Sequence, residues 1–284
     1  MASGPEGSGT EPTVWALANA SAYDEVAAES YLRGAPHLRH PTLRQRYETY
    51  AWELLNAARP ATGAPTVLEL GAGDGTTTLP FLRGGANVVA VDVSQAQLAS
   101  LLRRAEELGG QVETICADAD AAIERLRAEG RTFDVVSATS FLHHVPDFLG
   151  VLREVLPLVA AGGALGTFQD PLRYAGLGRP TRLFAQGAYA VWRLQEGDRL
   201  GGLRRRIRRR VRGFDEANEE DAVEYHAQRG GVDQEAVAAL LARNGFDVQV
   251  DSYFSTQSPF FQALGQRFGL ATSFAVIARQ GTAV

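Results

Sequence analysis

The chain predicts an open α/β fold, a largely parallel sheet covered by helices on both faces, and three features carry that prediction. Short β-branched apolar runs alternate with segments of helical periodicity. The first run opens directly into a turn with glycines at alternate positions, Gly71, Gly73 and Gly75. An acid stands at the end of each of the first three runs, namely Glu69, Asp92 and Asp118.

Taken in order, residues 15 to 58 form a helical prelude in which Tyr47, Tyr50, Ala51, Leu54 and Leu55 have helical spacing, and Arg59 to Pro65 is a linker. Val67 to Leu70 is the first strand and Val88 to Asp92 the second. Ser94 and Gln97 form a capping-box pattern, and Leu98, Leu101, Leu102, Ala105 and Leu108 mark one helix face that stops at Gly109 and Gly110. A third strand covers Val112 to Ala117, a helix Ala119 to Glu129, and a fourth strand Phe133 to Ala138. The spacing then predicts a helix over Asp147 to Val159, ended by Gly162 and Gly163, and a fifth strand over Ala164 to Gln169. Val237 to Asn244 is a helix closed by Gly245, followed by strands over Phe246 to Phe254 and Thr272 to Arg279.

At 284 residues, one core with elaborations is the natural expectation. Apolar residues make up 45% and charged residues 21%, ordinary values for a globular protein. The net charge of −5 argues against a general nucleic-acid binder, whose domain would be basic. All 28 basic residues are arginine, which we read as coding bias. Cys116, the single cysteine, excludes an internal disulfide and fits a reducing compartment, with its expected role that of a small buried apolar residue. No stretch has the length of a membrane span, and the Gly/Ser/Pro-rich residues 1–12 lack the basic and apolar regions of a signal peptide. The expectation is a disordered leader on a cytoplasmic protein that binds neither membrane nor nucleic acid.

The glycine turn selects a ligand class. A dinucleotide fingerprint would place its third glycine at position 76, which is Thr76, whereas here it comes one residue early. Glu69-x-Gly71-x-Gly73-x-Gly75 after a strand resembles motif I of the class I S-adenosylmethionine-dependent methyltransferases. That resemblance implies a Rossmann-like seven-stranded sheet whose last strand runs antiparallel. It also implies S-adenosyl-L-methionine as cofactor and S-adenosyl-L-homocysteine as its product. Glu69 would sit under the cofactor's amino acid end, with Gly71, Gly73 and Gly75 allowing close backbone approach. Asp92 would accept from the ribose hydroxyls, and Asp118 from the adenine amino group, with Val93, Gln97 and Ala119 flanking them. An isolated Asp at such a position is an ordinary helix N-cap, but three acids at three successive strand ends form a set.

The resemblance divides the chain into a leader (1–12), an N-terminal helical lid (13–60), the cofactor-binding core (61–170), a cap insertion (171–231) and the C-terminal part of the core (232–284). The insertion is too long for a structureless crossover, so we expect helices above the carboxyl ends of the strands, where open α/β folds bind ligands. It would hold acceptor specificity. In the lid segment, Tyr23, Tyr31, His37 and His40 are candidates for the acceptor pocket, or for packing against the core.

Methyl transfer from a sulfonium is a direct displacement, so positioning supplies most of the acceleration, and a hydroxyl acceptor must also lose its proton. The fourth strand leads into Phe141-Leu142-His143-His144-Val145-Pro146-Asp147, similar to a Leu-His-His run found there in many small-molecule methyltransferases. In the sugar-modifying natural product enzymes, a histidine of this loop and an acid just past the fifth strand are proposed to serve the acceptor hydroxyl. By that likeness His144 is the expected base and Asp170 its helper or an acceptor-binding group, with His143 the fallback, His226 at the end of the insertion the main rival, and His37 a weaker one. His143 and His144 lack the acidic neighbours of a metal site, so no metal is expected.

The implied function is methylation of a small molecule, foremost at a hydroxyl, in natural product or antibiotic biosynthesis. Transfer to nitrogen or carbon, a non-methylating reaction on the same fold such as cyclisation, and a non-catalytic cofactor-binding protein are the alternatives. Leu203 to Gly213 carries seven arginines and is followed by six acids between Asp215 and Glu224. That pattern reads as a self-neutralising solvated helix pair, or as a docking surface for a carrier-protein-tethered substrate or a second subunit.

Overall fold

The computed structural model describes residue 19 and residues 35–58, 63–195, 226 and 230–281. The expected leader, residues 13–18, 20–34 and 59–60 of the lid, and the arginine-rich segment with the acidic run after it lie outside the described residues, as do Tyr23 and Tyr31.

Seven strands form one sheet in the order β3-β2-β1-β4-β5-β7-β6. They are β1 (Thr66–Leu70), β2 (Asn87–Asp92), β3 (Val112–Cys116), β4 (Phe133–Thr139), β5 (Val159–Pro171), β6 (Phe246–Tyr253) and β7 (Ser273–Gln280). The first five run parallel, and β7 inserts antiparallel between β5 and β6. The fold is the α/β class with the seven-stranded sheet that the alternating pattern and the resemblance implied. Among the described residues the helices are α1 (Pro36–Arg39), α2 (Pro41–Ala57), α3 (Leu79–Arg83), α4 (Gln95–Leu108), α5 (Ala119–Ala128), α6 (Phe148–Val155), α7 (Arg179–Gln195), α8 (Gln234–Arg243) and α9 (Pro259–Arg267).

Strand alternation divides the core in two. Leu68, Leu70, Val136 and Ala138 face Ile123 and Leu126 of α5, Val151 and Leu152 of α6, and Leu240 and Leu241 of α8. Val67, Val88, Ala90 and Val135 face Tyr47, Tyr50 and Leu54 of α2, Phe81 of α3 and Leu98 and Leu101 of α4. All of these are buried, each contributing about 1.5–3 kcal/mol for a large side chain. Among the described residues no helix is long and apolar enough to cross a membrane.

Three expectations need correction. The helix expected to reach Val159 ends at Val155, because Pro157 interrupts it in a 3-10 turn (Leu156–Leu158), and β5 begins at Val159 rather than Ala164. The chain between β6 and β7 contains α9, which the sequence reading passed over although Ser258-Pro259 is a start signal. Cys116 is exposed rather than buried, because β3 is an edge strand and the thiol lies at its end, with Sγ 3.7 Å from the Val93 carbonyl.

Candidate active site

The order of the strands reverses between the parallel neighbours β1 and β4, the place where open α/β sheets leave a ligand crevice at their carboxyl ends. The glycine turn closes over that point. Gly71 and Ala72 donate their N–H groups to the Val91 carbonyl at 2.9 and 3.1 Å, tying the turn to β2. Gly71, Gly73 and Gly75 have φ of 70°, 53° and 84°, the left-handed region that favours glycine. A Cβ on Gly71 would meet the Phe141 ring at 2.7 Å, and one on Gly75 would meet Leu101 at 2.7 Å. Above Gly73 the space is open.

The acids are fixed around this turn. Asp92 accepts from Gly73 N–H at 2.8 Å through Oδ2 and from Ser94 N–H at 2.9 Å through Oδ1, so it joins the turn to the start of α4. Ser94 caps that helix by accepting from Gln97 N–H. Glu69 is fully buried and accepts from Thr77 and Thr78 hydroxyls at 2.8 and 2.6 Å. Burial pushes its carboxyl up to about 7, with Asp92 and Asp74 adding to the rise against the two hydroxyls. Asp118 caps α5 through Ala121 N–H at 2.8 Å, with Ala119 buried behind it and Val93 and Gln97 half-buried. Sequence reasoning missed Arg104, which bridges α4 to the turn through Asp74 at 2.7 Å and Thr76 Oγ1 at 2.7 Å.

The second half of the crevice lies over β4 and β5. The paired residues of β5 and β7 pass from Phe168↔Ala275 to Asp170↔Phe274, so Gln169 is an extra residue, a bulge with φ 69°. Its amide is held by Ser255 Oγ at 2.6 Å and the Tyr253 hydroxyl at 3.2 Å. Ser140, at the end of β4, also has positive φ, 53°, and donates to the Phe168 carbonyl at 2.6 Å. These two residues in an unfavourable backbone region flank the site, as strained residues often do.

The bulge directs fully buried Asp170 toward the 3-10 turn Leu142–His144. There its Oδ1 accepts from the His143 main-chain N–H at 3.1 Å and lies 2.8 Å from His143 Nδ1. A carboxylate only accepts, so Nδ1 is the donor, and in the neutral form of the ring Nε2 carries the lone pair. The expected partnership of Asp170 with His144 is therefore corrected: Asp170 pairs with His143, because the bulge and the main-chain contact both point at that residue. His144 packs its ring 4.1 Å from that of His143, and burial, then the neighbouring imidazole, holds it well below the usual histidine range. His226 is elsewhere occupied: its Nε2 lies 2.9 Å from the Pro146 carbonyl and its ring stands edge-on to Phe148, which fastens the end of the insertion to this loop.

Residues 67–163 match the family described as a methyltransferase domain. The ubiquinone biosynthesis O-methyltransferase of Aliivibrio fischeri (strain MJ11) is 33% identical over 97 residues, which cover 34% of this chain and 40% of that protein. The chain thus spans about 40% of the length of the curated relatives it matches. Among solved structures, magnesium protoporphyrin IX methyltransferase from Synechocystis PCC 6803 with bound SAM aligns with a TM-score of 0.56 at 12% identity, over 96% of this chain and 100% of that one. The Burkholderia thailandensis 1,6-didemethyltoxoflavin-N1-methyltransferase, with bound 1,6-didemethyltoxoflavin and S-adenosylhomocysteine, aligns with 0.54 at 18%, over 94% and 87%. At these identities the structural likeness establishes the methyltransferase fold.

Proposed function

We propose that this chain transfers a methyl group from S-adenosylmethionine to a hydroxyl of a small molecule in specialised metabolism. The residues fit that cofactor: a glycine turn with open space over Gly73, a fixed carboxylate at Asp92, and Asp118 and Ala119 at the next strand end. When bound, the cofactor supplies an electrophilic methyl group on a sulfonium. Asp92 would take the sugar hydroxyls, Glu69 would lie beneath the amino acid end, and the turn's N–H groups would border the crevice.

The observation that carries the choice of a hydroxyl is the His143–Asp170 pair. His143 Nε2 would accept the acceptor's proton while Asp170, bonded to Nδ1, stabilises the imidazolium that forms. Such a group serves a hydroxyl acceptor; a free amine does not require it. The matched ubiquinone-pathway relative is named for O-methylation, and the toxoflavin enzyme for N-methylation, so the pair rather than the likeness favours oxygen. The single cysteine and the absence of a long apolar helix among the described residues accord with a cytoplasmic enzyme.

Incubation with methyl-labelled S-adenosylmethionine and a panel of phenols, alcohols and amines tests the proposal. Label should pass to a hydroxyl with wild-type protein and fail with Asp170→Asn. Transfer to an amine with the variant unimpaired would replace oxygen by nitrogen, and no transfer to any acceptor would favour a non-methylating reaction.

A further inference from the structure

Of the histidines outside the Leu142–His144 turn, His37 is buried on α1, His40 Nε2 lies 2.7 Å from the Thr256 carbonyl, and His226 reaches the chain just past the turn. Asp170 grips the turn at His143, and two residues beyond His144 the Pro146 carbonyl lies 2.9 Å from His226 Nε2. A carbonyl only accepts, so Nε2 is the donor in that bond. The His226 ring also stands edge-on to Phe148, with centroids 5.0 Å apart and planes at 88°. Phe148 is the first residue of α6 and is buried, so the imidazole rests on a fixed surface.

His226 is tied in turn to the chain that leaves Asp170. Its carbonyl accepts from Gly230 and Gly231 N–H at 3.1 and 2.7 Å. The Gly230 carbonyl accepts from Tyr174 N–H at 2.7 Å, Val232 N–H donates to the Pro171 carbonyl at 2.8 Å, and Leu172 pairs with Val232. Arg173 and Asp233 join the same two segments in an ion pair at 2.9 Å. Gly231 has φ 80°, and a Cβ there would collide with the Leu172 carbonyl oxygen, so the segments approach as closely as only glycine allows.

The contacts close a ring. It runs from Asp170 to His143, along the turn to Pro146, across to His226, and through Gly231 and Leu172 back to Asp170. A turn held at one end can swing about that bond, whereas one held on both sides keeps its place. A base has to stay within about 0.5 Å of its productive position, so the second hold matters to the chemistry.

We propose that His226 is a positioning residue for the His143 base. Acting through Pro146, it braces the turn from the chain that returns to the core before α8, and so keeps the bond between His143 Nδ1 and Asp170 closed. The inference rests on the reading of His143 as the base and deepens it by giving the end of the insertion a part in the reaction.

The test follows imidazole protons by NMR in the full chain saturated with S-adenosylhomocysteine. In the wild-type chain His143 Nδ1 should carry a proton protected from exchange with water. In His226→Phe, which keeps a ring against Phe148 and removes the donor, that proton should exchange about ten-fold faster, the effect of losing one hydrogen bond from a closed state. Amides of buried β1 report global unfolding, and their rates should change less. His226→Gln, whose amide can donate in the place of Nε2, should restore the wild-type rate. Independently of any variant, the wild-type His226 Nε2 proton should be protected to within about ten-fold of the His143 proton, because the ring of contacts opens as one unit. An unchanged His143 rate in His226→Phe, a change no larger than that of β1, no restoration in His226→Gln, or a freely exchanging His226 proton beside a protected His143 proton would overturn the brace alone. A wild-type His143 without a protected Nδ1 proton would instead overturn the pair with Asp170, and the brace with it.

Discussion

Asp170 holds His143 by two bonds to one oxygen, the main-chain N–H at 3.1 Å and Nδ1 at 2.8 Å. The main-chain bond fixes where the turn sits, and the side-chain bond fixes the tautomer. Asp170→Asn should therefore lower turnover by about 10²–10⁴-fold, the usual share of general base catalysis, with S-adenosylhomocysteine affinity within two-fold of wild type. His143→Ala should cost about the same, and the double variant little more, because residues that act as a unit are not additive. Steady-state kinetics with titration calorimetry checks this; normal turnover in His143→Ala with loss in His144→Ala would return the role to His144.

The bulge at Gln169 should matter through Asp170. Gln169→Ala keeps the unfavourable φ of 69° but removes the bonds to Ser255 and Tyr253. We expect a loss of about 1–3 kcal/mol in urea unfolding, the cost of losing buried hydrogen bonds, together with a fall in turnover larger than any change in cofactor affinity. Stability and turnover both unchanged would show that the bulge does not need its anchors.

Much of this architecture is legible in the sequence, and the exceptions have physical reasons. Apolar runs declare β1, β2 and β4 because those strands are buried on both faces, α4 declares itself by a single apolar face, and the glycine spacing at residues 71 to 75 reflects three backbone positions with positive φ. The choice between His143 and His144 was not legible. It depends on a one-residue bulge 26 positions downstream of His143 (169 − 143), and no periodicity announces an extra residue at Gln169. The exposure of Cys116 likewise depends on strand order, which makes β3 an edge. Arg104 escaped because its partners, Asp74 and Thr76, lie in a turn that only the fold brings to α4.

Acid should destabilise the protein through His37. In the unfolded chain this imidazole takes a proton below about pH 6.5, whereas the folded protein refuses it down to about 3. The stability is thus complete above pH 6.5 and lost progressively as pH falls through that window, on the order of 5 kcal/mol in all. Wild type and His37→Phe compared by thermal unfolding between pH 7.5 and 4.5 should diverge, the variant losing less. Parallel pH profiles would contradict the buried, neutral assignment.

Glu69 works in the opposite direction. Unfolded, its carboxyl ionises above about 4.5; folded, it holds its proton to about 7. Its contribution is complete below pH 4.5 and is lost as pH rises to 7, on the order of 3 kcal/mol. Glu69→Gln, which stays neutral, should gain stability relative to wild type between pH 5 and 8 in urea titrations. A constant difference across that range would mean that Glu69 ionises normally.

Gly75 tests the turn itself. A methyl group there meets Leu101 at 2.7 Å on a backbone with φ 84°. Gly75→Ala should lose about 2–4 kcal/mol, combining left-handed strain with overpacking, and Leu101→Ala in the same chain should return only the packing part. Urea unfolding of the four proteins in that cycle separates the two, and additive losses would deny the contact.

On the proposed function, the crevice over Glu69 to Gly75, between Asp92 and Asp118, receives S-adenosylmethionine. Titration calorimetry with S-adenosylhomocysteine tests it most directly. One saturable site should appear in the wild-type chain and weaken at least ten-fold in Asp92→Ala, with NAD and FAD giving no heat. No binding of S-adenosylhomocysteine, or a nicotinamide or flavin nucleotide competing for the same crevice, would contradict it.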